Sequence, residues 1–267
     1  MTAVSTASPD YQVIDENLRV AMRFFGEATG RGSVTPLPGV DAIYAGMDYG
    51  VFNIALLNGP LGRVGLGKRI EDCARHYAPL TKRWSFWLCD SWLDSEQRSR
   101  ANQLFSEQGL RAITQPPGMS AAGLRGSARA IPELEFRPVS NAATRANFAT
   151  ITGVCFDIPY DISSAVYKNE HGWKETYRGY LGIVHGVAVS IISIVAAGGA
   201  LGIYSLATLP QYRRKGYGEA LLRYAVARER ERTGLERLVL QSTEAGHSLY
   251  KRLGFRDVTK YTVYLTR

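Results

Sequence analysis

Apolar residues recur along the chain at two spacings, one typical of helices and one typical of buried strands. Val13, Leu18, Met22 and Phe25 share one face of a helix predicted over residues 11–27. Uniformly apolar runs bounded by Gly or Pro predict buried strands over residues 177–184, 187–196 and 201–208. Gly198-Gly199 interrupts the longest apolar stretch, so we expect two strands joined by a tight turn there and no membrane-spanning helix.

The remaining pattern predicts two α/β units joined by a linker. Further strands are predicted at residues 42–45, 51–57, 84–89, 134–137 and 237–241, and further helices at 68–77, from Ser95, at 141–154 and at 219–233. Gly and Pro mark a loop at 30–39 and linker segments at 115–119 and 123–132. Because 267 residues can bury two cores, we predict domains over residues 1–130 and 131–267, each with a mixed α/β sheet.

The segment Arg213-Arg214-Lys215-Gly216-Tyr217-Gly218 joins a predicted strand to a predicted helix. Its two glycines carry no side chain where a ligand would approach the backbone. The unbonded N–H groups of the first helical turn and the positive end of the helix dipole attract an anion. The sequence therefore predicts a pyrophosphate site in this segment.

This segment resembles the pyrophosphate loop of the GNAT family of N-acetyltransferases, which has the pattern Arg/Gln-x-x-Gly-x-Gly/Ala. The downstream order of helix, strand and the stretch from Ser248 to Phe255 resembles the closing part of the same family. The resemblance implies tandem GNAT-like domains, with acetyl-CoA bound as co-substrate by the C-terminal one. The cofactor-binding residues that it implies are Leu206, Ala207, Thr208, Arg213, Arg214, Lys215, Gly216, Tyr217 and Gly218.

Tyr250 matches the family tyrosine that donates a proton to the departing thiolate, and the resemblance implies that catalytic role here. A phenol with a pKa near 10 is protonated at neutral pH. The general base stays open, because the strand before the loop has no carboxylate where many relatives carry one. Asp157, Glu175 and Glu244 are candidates, as is a bound water, whereas His185 is expected in a turn.

The first half repeats this order of elements in a degenerate form. Gly62-x-x-Gly65-x-Gly67 stands where the second half has its loop, and Phe105 stands where it has Tyr250. We therefore predict an N-terminal half without a proton donor, which serves as a scaffold and as a wall of the acceptor cleft. The same glycines nearly form a Walker A loop, but Arg69 occupies the position where that loop needs a Ser or Thr hydroxyl for magnesium.

Charge and cysteine content narrow the choice of partners. The net charge is +8, and residues 211–267 hold thirteen Lys/Arg against six Asp/Glu, so the basic excess lies near the predicted loop. A local excess suits a polyanionic cofactor better than a nucleic acid. The alternating charges of residues 228–232 predict a solvated helix face. Three widely spaced cysteines predict buried free thiols and no metal site, and the absence of a leader pattern predicts a cytoplasmic protein.

These observations predict an acetyl-CoA-dependent N-acetyltransferase that acts on a primary amine of a small molecule or peptide, as a monomer or homodimer. A protein that binds acyl-CoA as a regulatory signal, without catalysis, is the first alternative, and the missing strand carboxylate favours it. A nucleic-acid-binding protein is the second, and the even charge of residues 1–210 argues against it. No membrane partner is expected.

Overall fold

The computed structural model describes residues 9–266, which form seven α-helices and twelve strands within that range. The helices are α1 (Asp10–Ala28), α2 (Leu66–Tyr77), α3 (Ser95–Glu107), α4 (Ala142–Phe156), α5 (Tyr160–Tyr167), α6 (Tyr217–Thr233) and α7 (Glu244–Arg252). The strands are β1 (Ser33–Leu37), β2 (Val40–Tyr44), β3 (Ile54–Leu57), β4 (Ser85–Cys89), β5 (Leu110–Thr114), β6 (Pro117–Ala121), β7 (Glu135–Pro138), β8 (Tyr177–Val184), β9 (Val187–Ala197), β10 (Ala200–Thr208), β11 (Leu238–Gln241) and β12 (Arg256–Thr266).

Two segments that the sequence predicted as loop or linker are strands. Residues 33–37 form the edge strand β1, where the missing N–H of Pro36 is tolerated because only one side of the strand is paired. Residues 117–121 form β6, which begins at Pro117 and has neighbours on both sides. The loop prediction for 30–39 and the linker prediction for 115–119 are therefore wrong. They rested on Gly and Pro content, whereas the pairing of these strands becomes visible only in the tertiary structure.

The strands form one continuous sheet because the two halves exchange their last strands. In order across the sheet, the strands are β1-β2-β3-β4-β12-β6-β11-β10-β9-β8-β7, with β5 paired to β12 beside this path. Residues 256–260 of β12 pair with β6 from the first half. Residues 261–266 of the same strand lie between β4 and β5 of the first half. Each half therefore has, next to its central strand, a strand supplied by the other half.

The order of elements in the two halves is the same, which confirms the predicted tandem α/β layout. In each half an antiparallel strand pair leads to a strand, a glycine-containing loop, a helix, a parallel strand and a second helix. The division into domains at residues 1–130 and 131–267 stays a prediction. Within the described residues, no helix combines the length and apolar character that crossing a membrane requires.

Helix α1 packs across the junction between the two halves. Its Ile14 and Leu18 belong to one buried apolar cluster with Ile54 of β3, Val239 of β11 and Tyr261 of β12. Burial of each such side chain contributes about 1.5 to 3 kcal/mol relative to exposure. The cluster therefore stabilises the two halves together.

Asn17 of α1 fastens the β9–β10 hairpin of the second half. Its side-chain nitrogen contacts the carbonyl oxygens of Val195, Ala197 and Ala200 at 2.9 to 3.1 Å, and its Oδ1 accepts the hydroxyl hydrogen bond of Tyr204 at 2.8 Å. Gly202 makes this approach possible, because a Cβ there would lie 1.8 Å from Asn17 Oδ1. A residue of the first half thus holds the strand that enters the predicted loop.

Helix α6 ends at Gly234, as predicted, but its charged tail is only partly solvated. Gly234 adopts φ 71, the left-handed conformation typical of a helix end. Glu229 is only 1% exposed; it accepts hydrogen bonds from the Tyr180 hydroxyl and the Arg232 guanidinium. The solvated-face interpretation is therefore wrong for Glu229, because a buried carboxylate on the inner face has partners from β8 and from its own helix.

Asp15 is a buried carboxylate at the junction. Its side chain accepts hydrogen bonds from Trp92 Nε1 at 3.1 Å and from the Tyr261 hydroxyl at 3.2 Å, and Arg19 Nε lies 3.3 Å away. Burial outweighs these partners and raises the pKa of Asp15 from 3.8 to about 6. The Asp15 carboxyl therefore holds its proton to a higher pH in the folded protein than in the unfolded chain.

We expect Asp15→Asn to stabilise the protein at neutral pH. A carboxyl pKa raised in the folded state contributes stability that is present below pH 4 and is lost as the pH rises through 6. The neutral amide avoids that loss and can still bond Trp92 and Tyr261. Urea unfolding should show a variant more stable than wild type by up to about 3 kcal/mol at pH 7.5 and equal to it near pH 4. A difference that is constant with pH would contradict this account.

We also expect a fragment that begins at Glu133 to lose cooperative unfolding. It lacks β6, so β11 and the first part of β12 lose the neighbour that they share, including the fully buried Met119. A fragment that begins at Gly109 keeps β5 and β6 and serves as the matched control. Circular dichroism melts should show the longer fragment to be the more stable, and equal melts would contradict the role of the exchanged strand.

Candidate active site

Strands β10 and β11 run parallel and separate after two registered pairs. Leu201 lies opposite Leu238 and Gly202 opposite Val239, whereas β10 continues to Thr208. On its other edge β10 stays paired with β9 as far as Thr208. Within the described chain, the later part of β10 therefore faces a gap. Backbone N–H and C=O groups along such a gap are available to an extended ligand.

A β-bulge shapes the β10 side of this gap. The register with β9 shifts between Tyr204 and Ala207, and Ser205 adopts a φ of 51°. A bulge changes the direction of successive side chains. Leu206 accordingly packs with the α6 and α7 cluster that contains Tyr250, whereas Ala207 packs with the cluster under α4 and α5.

The basic loop follows β10 and leads directly into α6. Arg213, Arg214 and Lys215 are exposed, and Arg213 Nε donates to the carbonyl oxygen of Thr208 at 3.0 Å. Helix α6 starts at Tyr217 after Gly216, which provides no side-chain cap. No backbone hydrogen bond connects the N–H groups of 217–219 to an earlier carbonyl in the described residues. The loop thus combines three cations with unbonded N–H donors, the arrangement that binds phosphate.

The geometry of the loop favours glycine at both positions. Gly216 adopts a φ of 87°, and a Cβ there would lie 3.0 Å from Pro132 of the inter-half segment. A Cβ on Gly218 would lie 3.1 Å from Thr208 Oγ1, which is closer than nearly all Cβ contacts. The predicted residues Thr208, Gly216 and Gly218 are therefore brought together around one loop, as expected.

Tyr250 lies on α7, next to the apolar residues that border the gap. It is 8% exposed, and its ring packs edge to face against Phe255 with centroids 5.6 Å apart. Burial raises the pKa of Tyr250 above its usual value, and no hydrogen bond to its hydroxyl contributes within the described residues. The phenol is therefore protonated at neutral pH, as a proton donor must be.

The candidates for the general base lie apart from Tyr250. Asp157 ends α4 in a left-handed conformation with a φ of 52°. Burial raises the pKa of Tyr49 of the first half, and the nearby Asp157 carboxylate adds to that rise. Glu244 lies in the first turn of α7, and Glu175 lies in the exposed stretch before β8. None of the three hydrogen-bonds Tyr250 in the described chain, and His185 occupies the β8–β9 turn, where it was expected. The identity of the base stays open.

The corresponding strands of the first half do not separate in this way. Strands β3 and β4 stay paired through Leu56, almost the whole length of β3. Arg69 of α2 is buried and donates to the carbonyl oxygens of Gly39, Pro60 and Leu61 at 2.7 to 3.1 Å, which ties the loop to the neighbouring turn. At the position of Tyr250, Phe105 is fully buried in the core. This half therefore has glycines but no gap between its strands, and the cavity that Gly65 and Gly67 line lies between α2 and α3.

Two residues beside the gap, Asn17 and Gln241, were not identified from the sequence. Asn17 holds Tyr204 from 187 residues away in the chain, and nothing in a single sequence connects them. Gln241, the last residue of β11, has a buried Nε2 atom with no partner in the described residues. A polar residue at the carboxyl end of an apolar strand was the available signal for Gln241.

Comparison with known proteins agrees with this geometry. Residues 175–257 match the sequence model of the acetyltransferase (GNAT) domain. The fold is similar to a GCN5-related N-acetyltransferase from Kribbella flavida, with a TM-score of 0.71, 16% identity and coverage of 97% of this chain and 96% of that one. An acetyltransferase of the GNAT family from Novosphingobium aromaticivorans gives a TM-score of 0.55 and 15% identity over 95% of this chain and 97% of its own.

A third solved structure with this fold is a functionally unknown conserved protein from Staphylococcus epidermidis, with a TM-score of 0.63, 12% identity and coverage of 88% of this chain and 94% of that one. A search of the curated proteins finds no match. The family model covers the 213–218 loop, so the match confirms the resemblance that the sequence of this loop indicated. Residues 175–257 therefore match the GNAT acetyltransferase domain, within a chain whose fold is similar to that of a GCN5-related N-acetyltransferase over nearly its whole length.

Proposed function

We propose that the protein transfers the acetyl group of acetyl-CoA to a primary amine of a small molecule or peptide. The acyltransferase class rests on the GNAT domain over residues 175–257, and the acceptor and the role of Tyr250 are proposals. We further propose that the protein is cytoplasmic, that it is a monomer or homodimer, and that neither nucleic acid nor membrane is its partner.

The observation that carries this proposal is the gap between β10 and β11 with the uncapped loop at its end. A pantetheine arm would lie along the gap and bond the β10 backbone groups of residues 206–208, which extend beyond the last pair with β11. The pyrophosphate would lie on Arg213, Arg214 and Lys215 and on the N–H groups of the first turn of α6. The residues present therefore fit acetyl-CoA.

The proposed reaction forms one bond and breaks one. The nitrogen of a neutral amine attacks the thioester carbonyl carbon, so the C–N bond forms and the C–S bond then breaks. The nitrogen loses a proton to a base or bound water, and the departing thiolate takes the proton of the Tyr250 hydroxyl, which is replaced from solvent. Holding both reactants at the gap supplies proximity, and Tyr250 supplies general acid catalysis.

We expect one acetyl-CoA per chain, bound at the 213–218 loop. Calorimetry on the double variant Arg213→Glu/Arg214→Glu should show at least about a tenfold loss of CoA affinity, since the loss of charge-assisted bonds costs more than 1.4 kcal/mol. Pantetheine fragments that lack the nucleotide should be less affected. The matched control, Arg63→Glu in the glycine loop of the first half, should bind CoA normally. Two sites, or sensitivity at Arg63, would contradict the assignment.

We expect Tyr250→Phe to lower kcat by roughly 10² to 10⁴, as a lost general acid does, with stability and CoA affinity nearly unchanged. Stability should hold because the hydroxyl has no hydrogen bond to lose in the described chain. Release of CoA with a panel of primary amines measures the rate. The control is Tyr264→Phe, which loses a 2.7 Å bond to Asn102 and about 1 kcal/mol of stability without affecting turnover. An unchanged kcat for Tyr250→Phe would make the tyrosine structural.

One observation favours a second candidate, a protein that binds acyl-CoA as a signal and does not turn it over. Residues 204–208, which lead to the loop, include no carboxylate that could act as a base. Tight CoA binding in calorimetry, together with no CoA release for any amine of the panel, would favour this candidate. Turnover with any amine would exclude it.

A further inference from the structure

Gln241 ends β11 at the point where this strand has separated from β10. The last registered pair joins Gly202 to Val239. Gln241 is two residues beyond Val239 on the same strand, so it lies on the β11 side of the gap. On its other side Gln241 pairs with Gly118 of the exchanged strand β6. The residue is therefore fixed by the sheet on one edge and borders the gap on the other.

The side chain of Gln241 lies on the face of the sheet that α1 covers. Directly opposite it, a Cβ on Gly118 would meet the side chains of Ile14 on α1 and of Tyr261, which defines the face at this register position. Val239, two residues earlier on β11, belongs to the cluster under α1. Across the gap, Tyr204 reaches the same helix through its hydroxyl. Gln241 and Tyr204 thus flank the gap on one face.

The Gln241 Nε2 nitrogen is buried and has no hydrogen-bond partner among the described residues. An amide donor in this condition costs about 1 to 3 kcal/mol compared with a satisfied one, so it requires an explanation. Among the described residues with such an unpartnered buried atom, Gln241 is the one at the end of β11, beside the gap. A donor held without a partner beside a ligand gap fits an acceptor atom that the ligand brings.

We propose that Gln241 Nε2 donates a hydrogen bond to the carbonyl oxygen of the bound acetyl group. This inference rests on the proposed function. When the amine nitrogen attacks the carbonyl carbon, the π-electron pair moves to the oxygen, and it returns as the C–S bond breaks. Gln241 keeps its proton throughout and stabilises the negative oxygen, for which a neutral amide fixed in a buried site needs no reorganisation. A donor of this kind acts mostly on kcat, because the charge exists only during the reaction.

The experiment compares wild type with Gln241→Met, which keeps the length of the side chain, and with Gln241→Leu. We expect kcat for CoA release to fall by roughly 10² in both, the effect typical of one lost oxyanion donor, with KM for acetyl-CoA unchanged within about twofold. The melting temperature should stay equal or rise, since the buried amide makes no bond in the free protein. Ser190→Ala on β9 removes another buried unpartnered side-chain group and is the control, expected to keep full turnover.

Lower stability in both Gln241 variants would overturn the inference, because it would mean that the amide has a structural partner. Full kcat in a stable variant would overturn it as well. A rise in KM without a change in kcat would assign Gln241 to ground-state binding and not to the carbonyl oxygen. Absence of CoA release by wild type with every amine is a separate result, since it rejects the proposed function before any Gln241 variant is measured.

Discussion

The fold depends on a strand that must pair with both halves at once. Residues 256–260 complete the second half beside β6, and residues 261–266 complete the first half between β4 and β5. Neither half can therefore lose its partner without exposing unpaired central strands. Helix α1 adds a second connection, since Asn17 bonds three carbonyls of the β9–β10 hairpin. Through Tyr204 this connection reaches the bulge of β10, so the first half contributes to the geometry of the gap.

The two halves show how one arrangement can be open or closed. In the second half, β10 runs on past its last pair with β11, and small Ala220 follows the loop on α6. In the first half, β3 ends soon after its pairing, and the corresponding α2 position carries Arg69, whose guanidinium bonds three loop carbonyls. Glycines permit a phosphate loop in both halves. The two halves differ in the length of the strand that continues beyond the pairing.

The sequence was sufficient wherever local spacing and chain-adjacent chemistry decide the structure. The helix of Asp10–Ala28, the strands around Tyr177–Val184 and the loop into Tyr217–Thr233 lie within a few residues of their predicted bounds. It was insufficient where pairing partners are distant. Residues 115–119 were predicted as linker, although most of them belong to β6, because the partners of this strand, Leu238–Gln241 and β12, are more than a hundred residues away. The sequence predicts the loop and the tyrosine of the candidate site, but the positions of Asn17 and Gln241 beside the gap depend on contacts that no single sequence shows.

Three unfavourable local features lie on or near the strands that border the gap. Ser205 holds a positive φ in the bulge, the Gln241 amide lacks a partner in the described chain, and Asp15 is a carboxylate buried close to Tyr204. Each of these three features lowers stability by about 1 to 3 kcal/mol, whereas the apolar clusters around them stabilise the fold by packing. The surrounding sheet must be rigid to keep such features in place, and the exchanged strands and α1 supply that rigidity. Groups held ready in this way need little rearrangement when a ligand enters, which is the condition for stabilising charge that develops during a reaction.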